Sequence, residues 1–426
     1  MTSAFIQHNI IVYGAAISAC GKANLWKCAL SALHSLRPAH VLPNVIVYGA
    51  TISACEKCHH WEMALHLLYS LCQHHIQPNA ITYSAVISAC EKCHQWQQAL
   101  LLLSSLCQSC LSPDVILYSA VISACEKCQK WQQALCLLGD VHRSALLPNI
   151  ITYNAVISAC EKCHQWDRAL WLLAEVQRIR LQPDAITYNS AISACEKCRL
   201  WQHALSLMGQ MCQNYLLPDI FTYNAAISSC EKGRQWDKAI ALLSALRWSS
   251  LQPGLITYNA VISSCEKSRR WELALSLLQS LLEDRIQPGV ITCNALASAC
   301  ESCGQWQQAL RLLGRMIMMD LLPNLITFCV VIRSCRQSCQ WQHVRKVLAD
   351  LRLRRVQPGS VPYDDAVGAC ELCQQPYQAR FLIGELERDV ARVDWSSTFF
   401  SSQAVVLPCG SQLSDKRGCS RTSLPV

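Results

Sequence analysis

The chain has 426 residues, a formal net charge of +8 and 52% hydrophobic residues. Glycine and proline are sparse, at 15 each, which argues against extended disorder, and no apolar run reaches the ~18 residues that a membrane-spanning helix needs. The basic excess is compatible with a polyanionic partner but too small to demonstrate one.

Nine residues precede the first periodic segment, which begins at Ile10. We interpret residues 1–9 as an N-terminal remnant, too short for a signal or transit peptide. Two alternatives stay open: the protein is cytosolic, or a presequence precedes Met1 in a longer chain.

From Ile10 to Gly359 the sequence repeats ten times with a step of 35 residues. Each repeat ends in a proline followed by Asn, Asp or Gly. These prolines are Pro43, Pro78, Pro113, Pro148, Pro183, Pro218, Pro253, Pro288, Pro323 and Pro358. A fixed period of this size predicts stacked repeats rather than independent domains, so functional positions form columns.

The third repeat, residues 80–114, shows the predicted local structure. In the segment from Ile81 to Lys92, apolar residues recur with the i, i+3, i+4, i+7 spacing of an amphipathic helix, at Tyr83, Val86, Ile87 and Cys90. A second helix is predicted from Trp96 to Leu106, and Pro113 ends the unit. We expect Asp114 to cap the first helix of the next repeat.

Beyond Gly359 the pattern decays. We predict a degenerate eleventh repeat or C-terminal cap over residues 360–391 and a disordered, serine-rich tail over 392–426. Within the array, the tryptophan that opens each second helix, from Trp26 to Trp341, is interpreted as a packing residue.

The 29 cysteines suggest three other interpretations. Cys90 and Cys93 followed by His94 match the haem-attachment pattern CxxCH, but the equivalent of His94 in the next repeat is Gln129. Isolated Cys pairs do not make a closed zinc site, and a regular stack needs no disulfides. We therefore expect no cofactor and no metal site, and we interpret the first Cys of each pair as a small buried hydrophobic residue.

The block from Ile151 to Lys162, followed by Ala169, Leu170 and the segment from Leu181 to Asp184, resembles the pentatricopeptide repeat family in its pure P-type form. The resemblance covers residues 10–359 and the degenerate unit. It implies an all-α, right-handed superhelical solenoid of helix-turn-helix repeats.

The resemblance further implies binding of single-stranded RNA, one base per repeat. The implied base-reading residues follow the first-helix Tyr or end the repeat: Ser84 with Asp114, Ser119 with Asn149, Asn154 with Asp184, Asn189 with Asp219, Asn294 with Asn324, and Asn224 and Asn259 with glycine partners. The implied base-sandwiching residues are Ile81, Ile116, Ile151, Ile186, Phe221, Ile256 and Ile291. The base-reading column changes among Gly, Ser, Asn and Cys while its neighbours hardly vary, which favours a function over free drift.

By the family's code these pairs predict a core of 5′-GAUU-3′ followed by pyrimidines. The departures at Gly14, Gly49 and Cys329 leave both ends of the site undefined. The implied phosphate contacts are Lys57, Lys92, Lys127, Lys162, Lys197, Lys232 and Lys267. The alternative for this lysine column is a solvated helix end, with its charge balanced by the Glu before each Lys.

The sequence shows no catalytic motif, so we expect no enzyme. The resemblance implies a role in processing or stabilising transcripts in a chloroplast or mitochondrion, with RNA-processing enzymes as further partners and no membrane partner. The alternative is a protein-binding α-helical scaffold.

Overall fold

The computed structural model describes residues 10–36, 42–109, 111–354, 360–385 and 388. These residues form an all-α structure without a strand, as predicted. No helix among them has the length and apolar content to cross a bilayer. The predicted N-terminal remnant and the tail over 392–426 lie outside the described residues.

The chain forms two compact units, residues 1–288 and 289–426. In the first unit, the first helices of the repeats are α1 (Ile10–Lys22), α3 (Val45–Lys57), α5 (Ala80–Lys92), α7 (Val115–Lys127), α9 (Ile150–Lys162), α11 (Ala185–Lys197), α13 (Ile220–Lys232) and α15 (Leu255–Lys267). The second helices are α2 (Trp26–Ser35), α4 (Trp61–Gln73), α6 (Trp96–Gln108), α8 (Trp131–Arg143), α10 (Trp166–Arg178), α12 (Trp201–Gln213), α14 (Trp236–Trp248) and α16 (Trp271–Glu283).

The second unit contains α17 (Val290–Ser302), α18 (Trp306–Met318), α19 (Leu325–Gln337), α20 (Trp341–Leu353) and α21 (Ser360–Leu372). Residues 376–385 are also helical. Within each unit, consecutive first helices pack on one another, and each second helix packs on its own first helix and on the next one. This is the nearest-neighbour packing of a repeat solenoid.

The apolar stripe predicted for the third repeat is confirmed. Tyr83, Val86, Ile87 and Cys90 are buried on α5. A side chain every three or four residues returns to the same helix face, so this spacing places all four against neighbouring helices. Helical hairpins of this length cannot bury such a stripe alone, and stacking covers it.

The tryptophan column packs between successive repeats. The ring centroid of Trp26 lies 4.2 Å from that of His60 in the next repeat. The Lys130 ammonium lies 5.5 Å from the Trp96 ring centroid, and the Arg270 guanidinium lies 5.1 Å from that of Trp236. These tryptophans are half-buried. Their contacts agree with the packing role expected from the sequence.

The two cysteines of each CxxC pair have different surroundings. Cys90 is completely buried on α5, as predicted, whereas Cys93 is half-buried and its thiol donates to the carbonyl of His59, with Sγ 3.1 Å from the oxygen. Ser268 occupies the position of Cys93 in a later repeat and makes the equivalent bond at 3.2 Å, to the carbonyl of Arg234. The second Cys therefore acts as a hydrogen-bond donor between repeats.

The residue after the second Cys forms the connector between the two helices. His94, Gln129 and His164 adopt φ values of 59°, 57° and 58°, in the left-handed region, and their side chains are exposed. The position therefore tolerates His, Gln or Arg without any need for an imidazole. In the described part of the chain, no group of three or more His, Cys, Asp or Glu residues is arranged to hold a metal ion.

A small residue near the end of each first helix allows close packing. Ala89, Ala124 and Ala159 have no exposed surface, and Ser229 and Ser264 occupy the same column. Among the described residues, neither of these two buried serine hydroxyls has a hydrogen-bond partner. Each hydroxyl therefore carries an uncompensated desolvation cost.

We expect Ser229→Ala to raise the free energy of unfolding by about 1 kcal/mol, since it removes this cost and keeps the small volume. Urea denaturation followed by circular dichroism measures the change. Ser228→Ala is the matched control, because Ser228 Oγ donates to Glu196 at 2.8 Å and should not gain stability on removal. A less stable Ser229→Ala protein would contradict the prediction.

Candidate nucleic-acid interface

The N-terminal turn of each first helix exposes one large apolar side chain. These residues are 60–74% exposed, and they are Ile11, Ile46, Ile81, Ile116, Ile151, Ile186, Phe221 and Ile256 in the first unit and Ile291 and Ile326 in the second. A single exposed aliphatic residue is ordinary, but its recurrence at one position of every repeat indicates a surface that is used. This column contains all the residues predicted to sandwich bases.

Where the residue that ends a repeat is Asn or Asp, its side chain caps the following first helix. Asp114 Oδ1 accepts a hydrogen bond from the backbone N–H of Leu117 at 2.8 Å, which confirms the predicted cap. The same bond is made by Asn79, Asn149, Asp184, Asp219 and Asn324. Gly254 and Gly289 have no side chain to make it. The Asn or Asp that ends a repeat therefore stabilises the start of the next helix, in addition to its predicted role in reading a base.

The structure brings three of the predicted base-reading pairs together. Asn154 Nδ2 donates to both carboxylate oxygens of Asp184, at 3.0 and 3.2 Å. Asn189 Nδ2 lies 3.3 Å from both carboxylate oxygens of Asp219. In the second unit, Asn294 Nδ2 lies 3.4 Å from Asn324 Oδ1.

The two serine-containing pairs are arranged differently. Ser119 Oγ donates to the Val115 carbonyl at 2.7 Å and lies 2.7 Å from Thr152 Oγ1, and among the described residues no hydrogen bond joins it to Asn149. No hydrogen bond joins Ser84 to Asp114 among the described residues.

A column of threonines contacts the predicted base-reading residues. These threonines were not identified in the sequence analysis. Thr187 Oγ1 lies 2.6 Å from Asn154 Oδ1, and Thr222 Oγ1 lies 2.6 Å from Asn189 Oδ1. These threonines are completely buried, although each directly follows an exposed residue such as Ile186. The sequence did contain a signal for these threonines, because a polar residue recurs between an exposed apolar residue and a buried Tyr.

In the first unit the reading and apolar columns line a common depression. A cavity of about 510 Å³ is bordered by Asn189, Asn224, Ile186, Phe221 and Ile256. Two acidic residues, Glu161 and Glu196, also border it, with the serines that bond to them. The depression therefore combines apolar walls with amide groups, a composition suited to the faces and polar edges of flat aromatic rings.

The lysine column forms ion pairs between repeats. Lys162 Nζ lies 2.8 Å from Glu126 Oε1, a residue 36 positions earlier, and Ser158 donates to the same oxygen at 2.9 Å. Lys92, Lys127, Lys197, Lys232 and Lys267 repeat the ion pair with Glu56, Glu91, Glu161, Glu196 and Glu231. The positive charge of each of these lysines is therefore balanced by the Glu of the preceding repeat. From the sequence alone, the Glu directly before each Lys had been considered instead.

Lys57 is the exception among the seven predicted phosphate contacts. Gly21 occupies the position of the pairing Glu in the first repeat, and Lys57 is exposed. Half-exposed ion pairs are individually weak, so the other six lysines retain access to solvent and to mobile anions. Among the described residues, no glutamate pairs with Lys57 and competes with a phosphate for its charge.

Comparison with solved structures found matches of low sequence identity. The pentatricopeptide repeat protein PPR10 from maize aligns at 19% identity with a TM-score of 0.45, and the match covers 89% of this chain and 64% of that protein. Yeast Rmd9p, solved with a 16-nucleotide target RNA, aligns at 10% identity with a TM-score of 0.37, covering 90% and 89% of the two chains. This chain thus spans a little under two thirds of the maize protein.

Among curated proteins, none matches the sequence significantly. Three family models do match. The "PPR repeat family" model matches residues 43–92, 113–162, 148–197 and 183–232. The "Pentatricopeptide repeat domain" model matches residues 276–337, and the "PPR repeat" model matches 81–111, 221–251 and 256–286. Together these matches extend over more than half of the sequence and follow the repeats described above, and the chain belongs to the pentatricopeptide repeat family.

Proposed function

We propose that this protein binds single-stranded RNA sequence-specifically, with one base for each repeat. The observation that carries the proposal is an exposed large apolar side chain that recurs every 35 residues. Three residues after it, five repeats place a hydrogen-bonded hydroxyl or amide, at Ser119, Asn154, Asn189, Asn224 and Asn294. A base offers an apolar face and a polar edge, and such a pair of side chains is complementary to both. Membership of the pentatricopeptide repeat family supports the proposal.

The proposed register places 5′-GAUU-3′ on the third to sixth repeats, residues 80–219, followed by pyrimidines. Asn154 and Asn189 with their Asp partners are the proposed U readers. Ser84 and Ser119 are the proposed G and A readers. The ten repeats over residues 10–359 are the proposed binding array. The exposed apolar column would lie between successive bases. Lys57, which forms no ion pair among the described residues, would contact a phosphate of the RNA most readily.

The proposed biological role is binding without catalysis. Bound along one transcript segment, the array would block nucleases, remodel the RNA or present it to processing enzymes. We place this role in a chloroplast or mitochondrion, in keeping with the family implied by the sequence.

Binding to short RNAs tests the proposal. We expect an RNA containing 5′-GAUUUUU-3′ to bind at least about thirtyfold more tightly than one in which the four-base core is changed to 5′-UUAG-3′, because four edge contacts of at least ~0.5 kcal/mol each are disrupted. Fluorescence anisotropy at several salt concentrations measures both affinity and its salt dependence. The affinity should fall as salt rises, since phosphate contacts release counterions.

Equal affinity for the two RNAs would contradict sequence-specific reading. Weak binding to both, with little dependence on salt, would favour the protein-binding scaffold, which would hold its partner through apolar anchors. A DNA oligonucleotide of the same sequence and a poly(A) RNA are suitable controls for general polyanion binding.

A further inference from the structure

A directional hydrogen-bond chain runs through the buried Thr257. The backbone N–H of Gly254 donates to Thr257 Oγ1 at 3.3 Å, and Thr257 Oγ1 lies 2.6 Å from Asn224 Oδ1. A hydroxyl has one proton. Because its oxygen accepts from the helix-capping N–H, the hydroxyl directs that proton to the amide oxygen of Asn224.

This chain decides which way the reading amide faces. An asparagine side chain presents an acceptor on one side and a donor on the other. The threonine proton binds only the acceptor, so Oδ1 of Asn224 lies towards Thr257. The NH₂ group has no hydrogen-bond partner within the described residues, and the residue borders the cavity in the first unit.

In the fifth repeat the orientation is specified twice. Asp184 is an acceptor only, and it accepts from Asn154 Nδ2 at 3.0 Å while Thr187 lies at Asn154 Oδ1. In the seventh repeat the partner position is Gly254, so the threonine acts alone. Gly254 therefore does not leave Asn224 without an orienting group.

The sequence contains a matching association. The five asparagines of the reading column, Asn154, Asn189, Asn224, Asn259 and Asn294, are each followed 33 residues later by Thr. Where another residue replaces Asn, the association is mixed: Gly14 and Ser84 are followed by Val47 and Leu117, whereas Gly49 and Ser119 are followed by Thr82 and Thr152. Every asparagine of the column therefore has a threonine placed to orient it, and the hydrogen bonds to Asn154, Asn189, Asn224 and Asn294 show that contact.

We propose that the threonines after the sandwiching residues are positioning residues that set base specificity, and that Thr257 is the sole orienting group for Asn224. The repeat of residues 220–254 then discriminates pyrimidines from purines although it lacks the polar partner at its last position. This inference rests on the proposed RNA-binding function and extends the specificity of the same surface.

The test compares two matched variants, Thr257→Val and Thr187→Val. Each removes one hydroxyl and one capping hydrogen bond, and Thr187→Val also removes the hydrogen bond from Thr187 Oγ1 to Asp184 Oδ1 at 2.8 Å. Affinities are measured for four RNAs that differ only in the base opposite the affected repeat. We expect Thr257→Val to reduce the pyrimidine-to-purine affinity ratio at its position about fivefold to tenfold, from the loss of one orienting hydrogen bond.

Thr187→Val should change its own ratio less than about twofold, because Asp184 still orients Asn154. Thr257→Ser should retain the wild-type ratio, because it keeps the hydroxyl. Equal weakening of all four RNAs by Thr257→Val would show that the threonine is a helix cap only and would overturn the inference. So would equal losses of discrimination in the two valine variants.

A second measurement does not depend on RNA. Nuclear magnetic resonance relaxation of the Asn224 side-chain NH₂ group should show a rigid amide in the wild type and a mobile one in Thr257→Val, with Asn154 rigid in both. A mobile Asn224 amide in the wild type would overturn the inference. If the wild type bound no RNA, the proposed function would fail, while this measurement would still decide whether Thr257 orients Asn224.

Discussion

Substituting Asn154→Ser together with Asp184→Asn is expected to change the preferred base of the fifth repeat from U to A. The double variant copies the pair Ser119 and Asn149 of the fourth repeat. Asp184 forces the amide of Asn154 into one orientation, and the variant replaces that amide with a hydroxyl. We expect the U-to-A preference to invert by about tenfold, the equivalent of ~1.4 kcal/mol, measured with RNAs that differ only at this base.

The variant should fold normally, because the replacement keeps the helix cap. Asn149 Oδ1 already accepts from the backbone N–H of Thr152 at 2.9 Å, the same bond that Asp184 makes with Thr187. Asn154→Ala is the control, and it should lower discrimination among the bases without creating a preference for A. An unchanged preference for U in the double variant would count against the proposed reading pairs.

Raising the pH above 9 is expected to destabilise the array steeply. Burial raises the pKa of the thiol that is common to the first helices, from 9.0 to about 11 or 12. In the first unit these thiols are Cys55, Cys90, Cys125, Cys160, Cys195, Cys230 and Cys265. Between pH 9 and 12 the folded state keeps protons that the unfolded state releases.

The stability contributed by each buried thiol is therefore complete below pH 9 and is lost as the pH approaches 12. Each thiol lowers the free energy of unfolding by at most ~1.4 kcal/mol per pH unit in that window. Because seven such groups act in one unit, we expect unfolding before pH 12. Denaturant titrations at a series of pH values, followed by circular dichroism, measure the slope.

Two variants separate the titration from simple loss of packing. Cys160→Ala removes one titrating group and should reduce the pH dependence by one proton. Val156→Ala, at a neighbouring buried position, should lower stability by a similar amount at every pH and leave the slope unchanged. A Cys160→Ala protein with the wild-type slope would show that this thiol does not govern the alkaline transition.

Much of the repeat could be predicted from its local sequence. The spacing of Tyr83, Val86, Ile87 and Cys90 identified the buried face of α5, because that face depends only on helical periodicity within one segment. Pro113 and Asp114 likewise marked the end of one unit and the cap of the next. The helices extend a residue or two beyond the predicted bounds, since terminal turns have little apolar pattern to mark them.

The candidate site was predictable only as columns of residues. The exposed isoleucines and the changing position after each Tyr stood out without any structure. The roles of the charged and hydroxyl side chains did not, because their partners belong to another repeat. Lys162 was compared with its neighbour Glu161, whereas the structure pairs it with Glu126.

The sequence by itself determined the 35-residue step, the two helices of each repeat and the face that each helix buries, because all three follow from hydrophobic periodicity and helix-ending residues. Only the tertiary structure decided which residues meet between repeats. Thr187 reaches Asn154 across 33 residues, Cys93 reaches His59 across 34, and Lys162 reaches Glu126 across 36. These three sequence separations differ from the 35-residue step because each contact depends on how one helix is shifted and rotated against the next. The packing of the helices sets that shift and rotation, and no local sequence pattern encodes it.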